Sequence, residues 1–172
     1  VGSTAAGSDD GESPHLQRIQ TAAGLSEAMA ALTAAEQELS QGEAIQAYRH
    51  VGTVAELFGD LESALQLYTR SADLGDEESG VRAVAILFEL GRIAESEAWA
   101  RRLVLGAESY AIRRRATAIL ARAMAATGRS GQAIGLLLTV ASIDDADHLE
   151  PEVLYLLYRL SEREGIADAM ST

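Results

Sequence analysis

The glycines that separate helix-like stretches in this 172-residue chain recur at a nearly constant spacing. They are Gly24, Gly59, Gly91, Gly128 and Gly165, at successive intervals of 35, 32, 37 and 37 residues. A polar or capping residue follows soon after each glycine, and a small residue comes a few positions later. A period in the mid-thirties predicts stacked supersecondary units.

Each unit is predicted to contain two helices joined at its glycine. Glycine adopts the left-handed conformation that ends a helix, whereas other residues resist it. The second helix is expected to begin at a cap such as Asp60 or Ser130. Because the connection is so short, the two helices must be antiparallel neighbours. The small residues Ala64, Ser96 and Ala133 are then expected where the two helices cross closely.

Further turn and capping residues give the helix boundaries. Gly75 and Gly106 are predicted to end second helices, and the acidic residues after them open the next helix, whose start favours negative charge. Ser13 and Pro14 mark the start of the first helix. The predicted helices are 14–23, 26–41, 43–58, 60–74, 78–90, 92–105, 108–127, 130–142, 151–164 and a last one that starts near residue 166.

The composition favours helices and argues against several kinds of partner. Ala and Leu dominate the apolar residues and top the helix-propensity scale, while aromatic residues make up only 5% of the chain. The sequence has no apolar run long enough to span a membrane. A net charge of −12 opposes binding to nucleic acid and to anionic lipid. The absence of cysteine excludes disulfides, thiolate catalysis and cysteine-type zinc sites.

The first residues of the chain and its amino-acid usage predict an N-terminal tail and a bacterial source. Residues 1–13 are small, polar and Gly-rich, so they are predicted to be a flexible tail or linker before a helical domain at 14–172. All 14 Lys and Arg positions are Arg, and Asn is absent, as expected for a GC-rich bacterial genome. The compartment, cytoplasm or periplasm, is left open. Because the chain begins at Val1, we expect a processed form or part of a longer protein.

The stretch "AYRHVGTVAELFGDLESALQLYTRSA" resembles the tetratricopeptide repeat family. The family's residue types appear in it in order. They are Tyr48 for the first aromatic, Val51 and Gly52 for the Leu-Gly pair, then Ala55, Gly59 in the turn, Ala64 for the small close-packing residue and Tyr68 for the second aromatic. In later units the Leu-Gly pair is replaced by Ala83-Val84 and Leu120-Ala121. "ALQLYTRSADLGD" also resembles the related Sel-like repeats, and the resemblance covers about residues 15–170.

The resemblance implies an all-α fold: a right-handed α-solenoid of about five antiparallel helix pairs. It also implies a concave groove lined by the first helix of each pair, and a scaffold that binds a protein or peptide without a cofactor. These implications are analogies from the fold. Two alternatives stay open. One is a chaperone of the type III secretion kind, which "LFELGRIAESEA" resembles, and the other is a sensor or structural domain of a larger regulator or envelope assembly.

The candidate partner-binding residues lie on the expected groove face of the first helices, at i, i+4 and i+7 spacing. They are Arg49, Thr53, Glu56, Phe88, Arg115, Arg122, Tyr155 and Arg159. The favoured interpretation of the charges is a solvated face with Glu–Arg pairs. The alternative is a local basic patch that binds the carboxylates of an acidic peptide. The Lys and Asn residues of the family's carboxylate-clamp subgroup are missing, so its ligand is not expected.

The sequence contains no recognisable catalytic or metal-binding pattern. His15, His50 and His148 are far apart and lack the spacing of metal ligands. The carboxylate pairs at 77–78 and 144–145 lie at predicted helix starts, where they serve caps and dipoles better than acid–base chemistry. The chain is therefore predicted not to be an enzyme and to hold no metal.

Two features of the chain allow more than one interpretation. Trp99, the only tryptophan, is predicted to be buried, with a binding hot spot as the second interpretation. The last unit ends in the short "GIADAMST", and terminal solenoid units usually need a polar cap. An incomplete last unit would be completed by another chain or by further sequence, so self-association is left open.

Overall fold

The computed structural model describes residues 13–143 and 151–163, and these residues form nine α-helices without a strand. The helices are α1 (Pro14–Gln20), α2 (Leu25–Ala35), α3 (Gln41–Leu57), α4 (Leu61–Asp73), α5 (Glu77–Glu89), α6 (Ile93–Gly106), α7 (Tyr110–Ala126), α8 (Ser130–Ile143) and α9 (Pro151–Arg163). None of the described helices is long and apolar enough to cross a membrane.

Consecutive helices pack as pairs, and each pair packs on the next. The pairs are α1 with α2, α3 with α4, α5 with α6, and α7 with α8, while α9 packs on α7 and α8. This arrangement confirms the predicted all-α solenoid. The last predicted helix, near residue 166, lies outside the described residues.

Glycines in the left-handed conformation end helices at the predicted turns. Gly59, Gly91 and Gly128 have φ angles of 77°, 74° and 80°, and Gly75 has 102°. Gly24 is different, because its φ of −175° is extended backbone and it stands before α2 as the N-cap. The prediction of a left-handed turn at this glycine was therefore wrong.

Hydrogen-bonding side chains begin several helices. The Asp60 carboxylate accepts from the Ser63 N–H at 3.1 Å, and the Ser13 hydroxyl accepts from the Leu16 N–H at 3.3 Å. Both caps were predicted. Ser130, in contrast, is the first residue of α8 and not its cap.

The boundary between α2 and α3 lies earlier than predicted. Ser40 and Glu43 form a reciprocal capping box: the Ser40 hydroxyl accepts from the Glu43 N–H, and the Glu43 carboxylate accepts from the Ser40 N–H. This box starts α3 at Gln41, and the five residues before it leave the helix, so α2 ends at Ala35. The S-x-x-E spacing is a known start signal that the prediction overlooked.

Small residues lie where paired helices cross, as predicted. Ala64, Ser96 and Ala133 are fully buried. The Ser96 hydroxyl donates to the Val84 carbonyl oxygen at 3.0 Å, which satisfies its only polar group inside the core. Close packing at this position therefore leaves the Ser96 hydroxyl hydrogen-bonded.

The aromatic residue of the best-matching unit packs directly on a glycine. A Cβ atom added to Gly52 would lie 3.1 Å from the Tyr68 ring, closer than ordinary van der Waals contact. Tyr68 itself is 1% exposed. The Gly-to-Tyr contact therefore sets the distance between α3 and α4.

Among the described residues, the apolar core consists of two clusters that meet at one side chain. The first cluster joins α1 to α4 and part of α5, and the second joins the rest of α5 to α6, α7, α8 and α9. Trp99 on α6 packs against both. The side chain is only partly buried, so the prediction of a buried tryptophan holds for its inner face alone.

The first residue of two first helices, α3 and α5, binds the connection that leads from its own unit to the next. The Gln41 side-chain amide donates to the Leu74 carbonyl oxygen at 2.9 Å. The Glu77 carboxylate, 36 positions later, accepts from the backbone N–H groups of Glu108 and Ser109 at 2.6 and 3.2 Å. These contacts hold residues 108–109 outside the helix, which explains why α7 begins later than predicted.

Two of the turn glycines, Gly91 and Gly128, are each followed by an arginine whose guanidinium contacts a carboxylate of the previous unit. The Arg92 guanidinium lies 3.8 Å from the Glu62 carboxylate. Arg129 binds Glu97 through both of its terminal nitrogens, with Nη1 donating at 2.9 Å, and Arg101 donates to the same carboxylate. These hydrogen bonds, chiefly those from Arg129, lower the pKa of Glu97 to about 2.

Replacement of a turn glycine should destabilise the array. Gly59→Ala places a side chain at a φ of 77°, and we expect the free energy of unfolding to fall by about 1–2 kcal/mol. Gly42→Ala is the matched control, because this glycine lies within α3 and has open space around it. The control should leave stability unchanged or raise it by about 0.5 kcal/mol. Urea unfolding followed by circular dichroism measures both, and equal effects would contradict the assignment.

Acid should remove the stabilisation that Glu97 provides. The carboxyl's pKa is about 2 in the folded chain and ordinarily 4.5, so its contribution is present above pH 4.5 and is lost as the pH falls towards 2. Glu97→Gln should lower the free energy of unfolding by about 1 kcal/mol at pH 7 and flatten its decline between these pH values. Unfolding curves at several pH values test this. Glu89→Gln, at an exposed carboxylate, should keep the wild-type decline.

Candidate partner-binding site

A cleft of ≈ 230 Å³, here named the inner cleft, lies between the first helices α3, α5 and α7. Buried apolar side chains form its floor, and charged side chains from all three helices form its rim. The floor includes Val81, Ile86 and Ile119, and the rim consists of Glu56, Arg82, Glu89, Arg115 and Arg122. The cleft thus combines an apolar surface with charges of both signs.

Five of the eight candidate residues meet in or beside this cleft. Glu56, Arg115 and Arg122 line it. The Arg122 guanidinium lies over the Phe88 ring, 4.6 Å from its centroid, which fixes the orientation of the charge above α5. Thr53 adjoins the cleft through its contact with the Tyr68 hydroxyl at 3.0 Å.

The other candidates lie elsewhere on the array. The Arg49 guanidinium lies 3.6 Å from the Asp76 carboxylate at the start of α5 and does not line the inner cleft. Tyr155 and Arg159 lie on α9, where the guanidinium is 6.0 Å from the centroid of the ring. The ring is 60% exposed. These two residues form a separate surface at the last described helix.

A chain of polar contacts begins at the buried phenol of Tyr68. The hydroxyl donates to the Glu56 carboxylate at 2.9 Å, and Arg82 donates to the other oxygen of that carboxylate at 3.3 Å. Burial raises the pKa of Tyr68, and the neighbouring Glu56 carboxylate raises it further. The phenol therefore keeps its proton and remains a donor at neutral pH.

The chain of contacts continues across α5 to α7. The Arg82 Nε atom lies 3.9 Å from the Glu78 carboxylate one helical turn earlier. The Arg115 Nη1 atom donates to both oxygens of the same carboxylate at 2.6 and 2.7 Å. Alternating charges thus connect three successive units and fix the side chains around the inner cleft.

Three charged contributors to this site were not predicted from the sequence. Arg82 and Glu89 line the cleft, and Glu78 orients Arg115. Glu78 and Arg82 have the i, i+4 spacing of a helix-surface ion pair, which was a usable signal.

The described residues contain no group of three or more side chains that could hold a metal ion. The inner cleft instead offers guanidinium donors and carboxylate acceptors over an apolar floor. Such a surface can bind a polypeptide segment through charge-assisted hydrogen bonds and apolar contact.

Removal of the Tyr68 hydroxyl should weaken the site's framework. Tyr68→Phe deletes the donor to Glu56 and the contact with Thr53, and we expect the free energy of unfolding to fall by about 1–2 kcal/mol. Tyr158→Phe is the matched control, because its phenol donates to Glu162 on an exposed surface. The control should change stability by less than about 0.5 kcal/mol. Thermal and urea unfolding measure both, and a neutral Tyr68 variant would contradict the framework role.

Comparisons with known proteins point to one fold. No protein-family model and no curated protein matches the sequence. A solved structure described as "MamA RS-1 ArsTM double mutant" has a TM-score of 0.67 at 15% identity, over 89% of this chain and 83% of that one. A putative kinesin light chain from Podosopora anserina with nearly identical TPR-like repeats has a TM-score of 0.65 at 18% identity, over 90% and 85%. The chain has the fold of a tetratricopeptide-type repeat array.

Proposed function

We propose that this chain is a non-enzymatic scaffold that binds a segment of a partner protein in the inner cleft. The segment would lie across α3, α5 and α7, the three helices that form the cleft. Its carboxylates would contact Arg115 and Arg122, and its apolar side chains would cover the floor. The observation that carries the proposal is an open cleft with an excess of guanidinium groups in a strongly acidic chain.

The fold supports a scaffold role. Stacked repeats create extended surfaces that suit a polypeptide ligand better than a small molecule. Tetratricopeptide-type folds are typically non-enzymatic scaffolds. Because the fold alone does not determine a function, the proposal depends on the chemistry of the cleft.

The charge of the cleft supports an acidic partner segment. The lining contains three guanidinium groups and two carboxylates, and so carries one net positive charge. The whole chain has a net charge of −12. An acidic segment is therefore repelled by most of the surface and attracted by this cleft. The charge distribution thus favours binding at the cleft over non-specific binding elsewhere on the chain.

The orientation of the arginines supports carboxylate binding. Arg115 commits its Nη1 atom to Glu78. A guanidinium has five N–H donors in a rigid plane, so donors remain for a second carboxylate. The contact of Arg122 with the Phe88 ring limits the conformations that binding would have to restrict.

The proposal can be tested by replacing two cleft arginines with uncharged residues. Affinity purification from the native organism, followed by mass spectrometry and mapping of the bound segment, identifies a partner of the wild-type chain. We expect the Arg115→Gln/Arg122→Gln double variant to bind the mapped segment at least about tenfold more weakly, because two charge-assisted hydrogen-bonding groups are lost. Calorimetric titration of the purified segment measures the change.

A variant with the same change in charge serves as the control. Arg18→Gln/Arg163→Gln alters exposed residues on α1 and α9, far along the chain from the cleft, and should bind the segment as the wild type does. Circular dichroism verifies that both variants remain helical. A segment that binds all three proteins equally would exclude the inner cleft as its site.

The same experiment distinguishes the two alternatives that the sequence left open. A partner that is an exported protein, and that stays soluble only when co-expressed with this chain, would replace the scaffold by a secretion-type chaperone. Absence of any specific partner would favour a structural or sensor domain of a longer protein. The full open reading frame of the gene then tests this last reading directly.

A further inference from the structure

Two openings flank Trp99 on the side of the array formed by the second helices. One, of ≈ 530 Å³, lies between α4 and α6 and has Leu65 and Leu87 in its lining. The other, of ≈ 180 Å³, is lined by Gly80 and Leu103. Trp99 lines both, so together they form a single surface, here named the tryptophan cleft.

The tryptophan cleft is separate from the inner cleft. The two clefts share no arginine or glutamate, since the inner cleft draws its charges from α3, α5 and α7. Leu65 and Leu87 are buried, which gives the tryptophan cleft an apolar floor. A partly exposed tryptophan above such a floor is the kind of residue that dominates protein interfaces.

The charges at the two ends of the tryptophan cleft have opposite signs. Where α4 and α6 begin, Glu62 and Glu95 flank Arg92, so two carboxylates and one guanidinium leave one net negative charge. Towards the ends of these helices Arg70, Arg102 and Asp73 line the cleft, so two guanidinium groups and one carboxylate leave one net positive charge. Positive and negative ends thus lie on either side of Trp99.

The two arginines at the positive end differ in whether they form an ion pair. Arg70 donates to Glu36 at 2.8 Å. Arg102 is exposed and lies over the Trp99 ring, 5.2 Å from its centroid, and it forms no ion pair within the described ranges. A carboxylate bound to this guanidinium would be held beside the tryptophan, where cation–π contact already orients the charge.

We propose that the tryptophan cleft docks an amphipathic segment of a partner protein, separately from the inner cleft. A large apolar side chain of the segment covers Trp99 and the leucine floor. Its basic end lies at Glu62 and Glu95, and its acidic end lies at Arg102. The charges at the two ends of the cleft favour a segment whose basic and acidic residues are at opposite ends. A segment with intermixed charges would place some of them beside groups of like charge.

The single tryptophan makes the test direct. Two synthetic peptides of identical composition, with blocked termini and a leucine-containing apolar face, are titrated into the full chain. In one the lysines and glutamates occupy opposite ends, and in the other they alternate. We expect the separated peptide to shift the emission of Trp99, the only tryptophan, and to bind at least about tenfold more tightly than the alternating peptide.

Charge variants locate the binding without altering the tryptophan. Arg102→Gln and Glu62→Gln/Glu95→Gln should each weaken binding of the separated peptide several-fold, while Arg115→Gln/Arg122→Gln in the inner cleft should leave it unchanged. No emission change up to about 1 mM peptide would overturn the proposal. Equal affinity for the two peptides, or equal affinity of all variants, would overturn it too. None of these outcomes depends on the inner cleft binding a partner.

Discussion

The array depends on how closely two helices can approach within a unit. Gly52 meets the Tyr68 ring so closely that an added methyl group would lie 3.1 Å from it, and Ala64 is fully buried on the partner helix. A larger side chain at either position would push α4 away from α3 and remove dispersion contacts along the whole pair. The close approach also places the Tyr68 hydroxyl beside Glu56, so the packing of one unit orients a charge at the inner cleft.

The two proposed surfaces differ in how their charges are arranged. At the inner cleft the charges alternate across three units, and Glu56, Arg82, Glu78 and Arg115 hold one another in place. The tryptophan cleft instead separates its charges along the direction of α4 and α6. A partner at the first would bind donors that the existing ion pairs leave unused, whereas a partner at the second would complement two ends of unlike charge. The repeat architecture supplies both, because successive helices alternate between two sides of the array.

Local chemistry was enough to predict most of the fold. The turn glycines at 59, 91 and 128 and the small residue after each of them report the conformation of a single turn, which adjacent residues determine. The start of α7 escaped prediction because Glu77 holds its linker from a position 31 residues earlier. The inner cleft was predicted only in part for the same reason. The partner of Arg115 is Glu78, 37 positions away, and only the stacking of units brings them together.

The contacts of Gln41 and Glu77 reach the connection to the next unit and no farther. A duplicated unit inserted between existing ones would find the same kind of neighbour on both sides, since these two contacts start from positions about one period apart. Duplication or deletion of whole units in the gene can therefore lengthen or shorten such an array without requiring a new kind of core packing. Evolution of this chain would then change the number of partner residues it can span in steps of one repeat.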